Sequence, residues 1–210
     1  IVLSADHGGP EVPGYLNEFG IDAGYSDPEK WDKQPALAAL KNDFGVDKEL
    51  NSGYNHPYVY LNQEVIQQRE LDPRAVEQAI AAELLQFEGI AQAVGSTALR
   101  EGNLPDTALN QAILKNFNPN RSGDIYVVFK PHWFINDFDG LSVAATHGSP
   151  WKYDTFVPIV FVGGNIPAQH IERRVLTVDV APTLTALLGI KPPSGAAGVP
   201  LVEVFGGQAR

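Results

Sequence analysis

The chain contains no cysteine and no methionine. Without thiols it forms no disulfide and no thiolate zinc site, so a transition-metal site has to be built from His, Asp and Glu. Histidine itself is scarce, 5 in 210 residues. Basic residues are outnumbered, 15 Lys and Arg against 25 Asp and Glu, for a formal net charge of -10. A protein that tracks a nucleic-acid backbone needs clustered positive charge, and this balance argues against one. Phosphorylated small molecules stay open as substrates, because bound metal ions supply positive charge locally. No run approaches the roughly 20 apolar residues of a membrane-spanning helix. Position 1 is Ile, and Ile1-Val2-Leu3 already reads as a strand. The expectation is a fragment that starts inside a folded element, and the lack of a signal peptide is then uninformative.

What is present is an ordinary globular mixture, 44% hydrophobic and 19% charged, sufficient for one substantial core. Ile1 to Ala5 reads as a buried strand feeding the turn Asp6-His7-Gly8-Gly9-Pro10. Gln34 to Phe44 fits a helix with Leu37, Leu40 and Phe44 on one face and Gly45 as its stop. Tyr58 to Leu61 fits a short strand, and Glu11 to Asn62 as a whole reads as an accessory insertion. Asp72-Pro73 opens the clearest helix, with Val76, Ile80, Leu84, Phe87, Ala91 and Val94 at helical spacing. A second helix is predicted from near Asp106, burying Leu109, Ile113 and Phe117. Asp124 to Lys130 and Phe156 to Gly163 read as near-continuous apolar strands covered on both faces, and Arg174 to Val178 as a further strand. Asp179 is placed to cap a helix that ends at Gly189. Strands alternating with helices define an α/β chain.

Two constellations carry chemistry. Asp6-His7 puts a carboxylate and an imidazole at the mouth of a strand, two good zinc donors, and Gly8-Gly9 lets both face one point. The pair reads equally as a capping Asp beside a structural His. His147 lies among small residues in Thr146-His147-Gly148-Ser149-Pro150, where an imidazole can approach a metal closely; an ordinary surface histidine has the same appearance. Tyr153 and Asp154 are candidates to orient the His147 loop from behind. His132, beside Trp133, reads as a packing or rim residue, and His56 and His170 read as surface residues. Ser4, Ser149 and Thr155 show no Ser-His-Asp partnership and no nucleophile elbow.

Four segments taken in order carry a resemblance to a known family: Val2-Leu3-Ser4-Ala5-Asp6-His7-Gly8, Thr146-His147-Gly148-Ser149-Pro150, Tyr153-Asp154-Thr155-Phe156-Val157-Pro158-Ile159, and Val178-Asp179-Val180-Ala181-Pro182-Thr183-Leu184. Together they resemble the C-terminal part of the bacterial single-chain two-zinc alkaline phosphatases related to nucleotide pyrophosphatase/phosphodiesterases. The resemblance implies a partial α/β sandwich with a mostly parallel central sheet flanked by helices, residues 11–62 forming an inserted subdomain. It assigns Asp6 and His7 to one zinc and His147 to the other, with the remaining ligands and the phosphoenzyme nucleophile upstream. It implies a phosphate monoester substrate and a periplasmic or secreted parent protein. Phe156 departs from the pattern, since relatives often carry His there. The same scaffold serves phosphodiesterases and sulfatase-like hydrolases, which stand as alternatives. So does a non-catalytic fragment that binds metal weakly or associates with a missing N-terminal half.

Overall fold

The computed structural model describes residues 1–31, 34–135, 137–138, 140–163 and 166–206. Its first elements are β1 (Val2–Ser4), α1 (Pro13–Glu18), β2 (Gly24–Tyr25), α2 (Pro35–Asp43), β3 (Asn51–Asn55) and β4 (Tyr58–Leu61). There follow α3 (Gln63–Gln68), α4 (Pro73–Leu84), β5 (Ile90–Gly95), α5 (Ser96–Glu101), α6 (Ala108–Asn116) and β6 (Ile125–Phe129). The last are β7 (Trp133–Phe134), β8 (Asp137–Phe138), β9 (Leu141–Ser142), α7 (Lys152–Thr155), β10 (Ile159–Phe161) and α8 (Val180–Leu188). Contacts divide the chain into two compact units, Gly9–Thr155 and the pair of segments Ile1–Gly8 and Phe156–Arg210.

The larger unit is built on a four-stranded sheet of order β3-β4-β6-β5. Every residue of β6 is buried, so its alternating side chains serve two cores at once. Ile125, Val127 and Phe129 join a cluster with Val76, Ile80 and Leu84 of α4 and Leu37 and Leu40 of α2. Tyr126 and Val128 point the other way, to Leu99 of α5 and Ile113 of α6. Helix α4 starts where Asp72 accepts a hydrogen bond from the Arg74 amide at 3.0 Å, with Pro73 in the first turn. Residues 11–62 supply β3 and β4 to the same sheet as β5 and β6.

The helix expected to run from Asp72 to Val94 stops at Leu84, and Ile90 to Gly95 is strand β5. Ala91 and Val94 satisfy the helical spacing by coincidence; Gly89 lies in the turn that leads into β5. Its φ is +84°, and a Cβ there would lie 2.2 Å from Cε3 of Trp133, so only glycine admits that ring. Helices α2 and α6 fall where periodicity placed them.

Among the described residues the pairing is antiparallel except for the two-residue contact of β2 with β7. The mostly parallel sheet is therefore not what these strands form, although the chain is α/β. One helix between two strands returns the chain in the same direction, whereas β5 and β6 are joined through two, α5 and α6, and run antiparallel.

The smaller unit holds β1 paired antiparallel with β10, Leu3 opposite Val160. Strand burial was expected here, but Leu3 is 59% and Val160 44% exposed: Val2, Ile159 and Phe161 are half-buried, while the ribbon face that carries Leu3 and Val160 is uncovered among the described residues. Arg174 to Val178 forms no strand; Thr177–Asp179 is a 3₁₀ turn. Asp179 does not cap α8 with its side chain. Its carboxylate accepts instead from the amides of Leu176 and Val199, both at 2.9 Å. Gly189, at φ +63°, closes α8 as expected.

Candidate functional site

Strand β1 aims the Asp6-His7 turn. Its pairing with β10 is extended by the Ile1 amine on the Val162 carbonyl at 2.8 Å and Ser4 Oγ on the Pro158 carbonyl at 2.9 Å. Past Ser4 the ladder ends and the chain turns. Asp6 Oδ1 accepts the His7 amide at 3.0 Å, holding the carboxylate against its own main chain. His7 Nδ1 donates to the Gly8 carbonyl at 2.6 Å, which leaves Nε2 as the lone-pair nitrogen of the neutral ring. Nε2 and Asp6 Oδ2 are 3.6 Å apart.

This arrangement fits a zinc ion in donor chemistry and spacing. Metal-bound imidazoles commonly donate their other N–H to a backbone carbonyl. Zn–N and Zn–O bonds of about 2 Å in a tetrahedral site hold the two donor atoms about 3.3 Å apart. The Asp6 side chain is 86% exposed, so packing does not account for its place. Two donors fall short of the three or four protein ligands of zinc sites. Among the described residues, neither unit contains a group of three or more His, Cys, Asp or Glu that could hold a metal ion.

The larger unit holds the second constellation, the loop around His147. Asp154, 4% exposed, accepts the Ser149 amide on Oδ2 at 2.8 Å, while Ser149 Oγ accepts the Trp151 amide at 3.3 Å. Trp151 Nε1 donates to the Phe129 carbonyl at 2.9 Å, tying the loop to the end of β6. The Tyr153 hydroxyl accepts the His132 amide at 3.1 Å and also engages the Ser149 side chain. Burial pushes the Tyr153 hydroxyl above the usual phenol range. His132 stacks on Tyr153 at 4.8 Å, a packing contact. Upstream, the Tyr25 hydroxyl donates to the Ala144 carbonyl at 2.8 Å. The structure thus places Tyr153 and Asp154 on α7, just after the loop that carries His147, with Asp154 bonded to the Ser149 amide of that loop, and Asp6 and His7 in one turn.

One histidine belongs to this loop that sequence reasoning placed at the surface. His56 is half-buried, its ring nearly parallel to Phe129 at 6.2 Å and its Nδ1 2.8 Å from the Tyr54 hydroxyl. Its Nε2 is buried against Gly148 without a hydrogen bond of good geometry. Burial lowers the His56 pKa, opposed by the Gly148 backbone. The signal was absent locally: Asn55-His56-Pro57 reads as a polar turn, and its partner Gly148 lies far along the chain. His170 is exposed, as expected.

With the geometry in place, the comparisons define the class. A crystal structure of wild-type alkaline phosphatase PafA superposes on 97% of this chain and 38% of that one, with a TM-score of 0.79 and 26% identity. Alkaline phosphatase PafA from Elizabethkingia meningoseptica is 28% identical over 207 residues, 98% of this chain and 36% of the relative. A Myroides odoratus protein named calcium-transporting ATPase is 32% identical over 205 residues, again 98% of this chain and 36% of the relative. No protein-family profile matches. These relatives and structural neighbours are members of the alkaline phosphatase superfamily, and their similarity runs over nearly the whole of this chain. The chain spans little more than a third of the length of these curated relatives. No helix among the described residues is long and apolar enough to cross a membrane.

Proposed function

We propose that this chain is the metal-binding segment of a zinc-dependent phosphate monoester hydrolase. Asp6 and His7 are ligands of one zinc and His147 of the other. The observation that carries the reading is the His7 hydrogen bond to the Gly8 carbonyl, which leaves Nε2 facing Asp6 Oδ2 at 3.6 Å. The alkaline phosphatases among its relatives favour the phosphatase reading over the transporting ATPase name carried by one of them.

Zinc held by Asp6, His7 and His147, together with ligands from elsewhere in the protein, would supply Lewis-acid charge for phosphoryl transfer. The residues of this chain contribute orientation. The Gly8 carbonyl holds the His7 tautomer, and Asp154 and Trp151 hold the loop that carries His147. The nucleophile is assigned to a part of the protein outside this sequence. Export to the periplasm or beyond belongs to the same reading, and cell fractionation of the gene product checks it.

The test is hydrolysis of an aryl phosphomonoester and its diester analogue by the full gene product with zinc. The expected result is a monoester preference, abolished by a chelator. Asp6→Asn and His147→Ala should each lower kcat/KM by about 100-fold or more. A steady preference for the diester moves the protein to the phosphodiesterases, and chelator-resistant hydrolysis removes zinc from the reading.

A further inference from the structure

The His147 loop rests on a residue with no role in the reading above. Gly148 has φ +109°, a conformation suited to glycine, and a Cβ added there would lie 3.2 Å from His56 Nε2. The main chain of the residue after His147 therefore lies directly on the His56 imidazole. That imidazole is itself held on two sides. Nδ1 meets the Tyr54 hydroxyl of β3 at 2.8 Å, and the ring lies within 6° of parallel to Phe129 of β6. Tyr54 packs edge-on against the buried Trp31 at 5.1 Å, so the support reaches the main core.

We propose that His56 is a positioning residue for His147, setting the place of Gly148 through its Nε2. Burial lowers the His56 pKa and so favours the neutral ring, with one N–H and one lone pair. With the Tyr54 hydroxyl donating to Nδ1, the N–H sits on Nε2 and faces the Gly148 main chain. A residue needed only to fill this space would be apolar, since a buried nitrogen without a well-formed hydrogen bond is unfavourable. On the far side of Gly148 the Ser149 amide is held by Asp154. The residue that carries the imidazole of His147 is thereby followed by two main-chain positions supported from the core.

The inference rests on reading His147 as a zinc ligand, and the test separates the two. In the full gene product, zinc affinity is measured by competition with a chromophoric chelator for the wild type, His147→Ala, His56→Phe and His56→Gln. Amide hydrogen exchange at Gly148 and Ser149 is followed in parallel. His56→Phe should weaken by about tenfold or more the same ion that His147→Ala releases, leaving the other unchanged. His56→Gln, which returns a polar atom near the Nε2 position, should restore it, an outcome that loss of packing alone does not produce. If His56→Phe does not fold, Tyr54→Phe reports instead, and should loosen the same ion by removing the hydroxyl from Nδ1. Zinc binding unchanged in whichever of these variants folds overturns the inference, as does failure of His56→Gln to improve on His56→Phe. A wild type that holds no zinc removes the ligand reading. Exchange then decides alone: faster exchange in His56→Phe than in His56→Gln upholds the positioning role, and equal exchange ends it.

Discussion

At the scale of single residues, Glu203 shows how an exposed pair acquires a pH signature. The Arg173 guanidinium donates to both carboxylate oxygens, Nη2 to Oε2 at 2.8 Å and Nε to Oε1. Hydrogen bonding from Arg173, then from the Glu203 backbone, lowers the carboxyl from 4.5 to about 2. A lowered folded value stabilises the fold above the ordinary pKa, and that contribution is lost as pH falls from about 4.5 toward 2. Arg173→Gln should move the midpoint of the Glu203 carboxyl carbon, followed by NMR, up from about 2 toward 4.5, since the largest lowering cause is removed. A midpoint that stays near 2 would mean that the backbone hydrogen bond alone holds it. The candidate site was unevenly legible at this scale. Asp6, His7 and His147 stand out because polar ligand types sit among glycines and small residues. His56 does not, because its role depends on a loop distant in sequence that packs on it only after folding.

At the scale of elements, the junction of β5 and α5 depends on a side chain from a third element. Glu77 of α4 is 4% exposed and accepts from Ser96 Oγ at 2.8 Å and the Thr97 amide at 3.0 Å. It thus caps the first turn of α5 from outside, where Gly95 has no side chain to do so. The lack of a Cβ at Gly95 also makes room, since one would lie 2.4 Å from Glu77 Oε2. Glu77→Ala leaves a buried hydroxyl and an amide without their acceptor and should cost about 2–3 kcal/mol, read from the denaturation midpoint at unchanged slope. A loss below about 0.5 kcal/mol would mean water replaces the carboxylate. Helix α4 was legible because Asp72-Pro73 and its apolar stripe are local signals. Its end was not, since the turn into β5 holds Gly89 against Trp133, a partner more than forty positions on. Strand direction was illegible for the same reason: alternation names the elements and leaves their pairing to long-range contacts.

At the scale of the whole molecule, the buried apolar clusters are unequally shared. Both clusters among the described residues draw only on positions within 9–155, from Trp31 to Ile135 in one and from Tyr58 to Trp151 in the other. The segments 1–8 and 156–210 instead expose Leu3, Val160, Val162, Leu188 and Ile190. A continuous segment with its own two-faced sheet and covering helices has what an independent domain requires. Residues 9–155 expressed alone should therefore fold, with a cooperative thermal transition and little binding of a hydrophobic dye. Removing 1–8 costs this unit none of its sheet, because β1 pairs only with β10 among the described strands. Within the excised unit Ile125→Ala, at a fully buried position of β6, should lower stability by about 2–5 kcal/mol. A broad transition with strong dye binding in the unmutated segment would show that its packing depends on the flanking residues. The His147 loop travels with this unit, and its supports Asp154, Trp151 and His56 travel with it. Exchange at Gly148 and Ser149 in the excised segment should then match that in the full gene product if the loop is held from its own core.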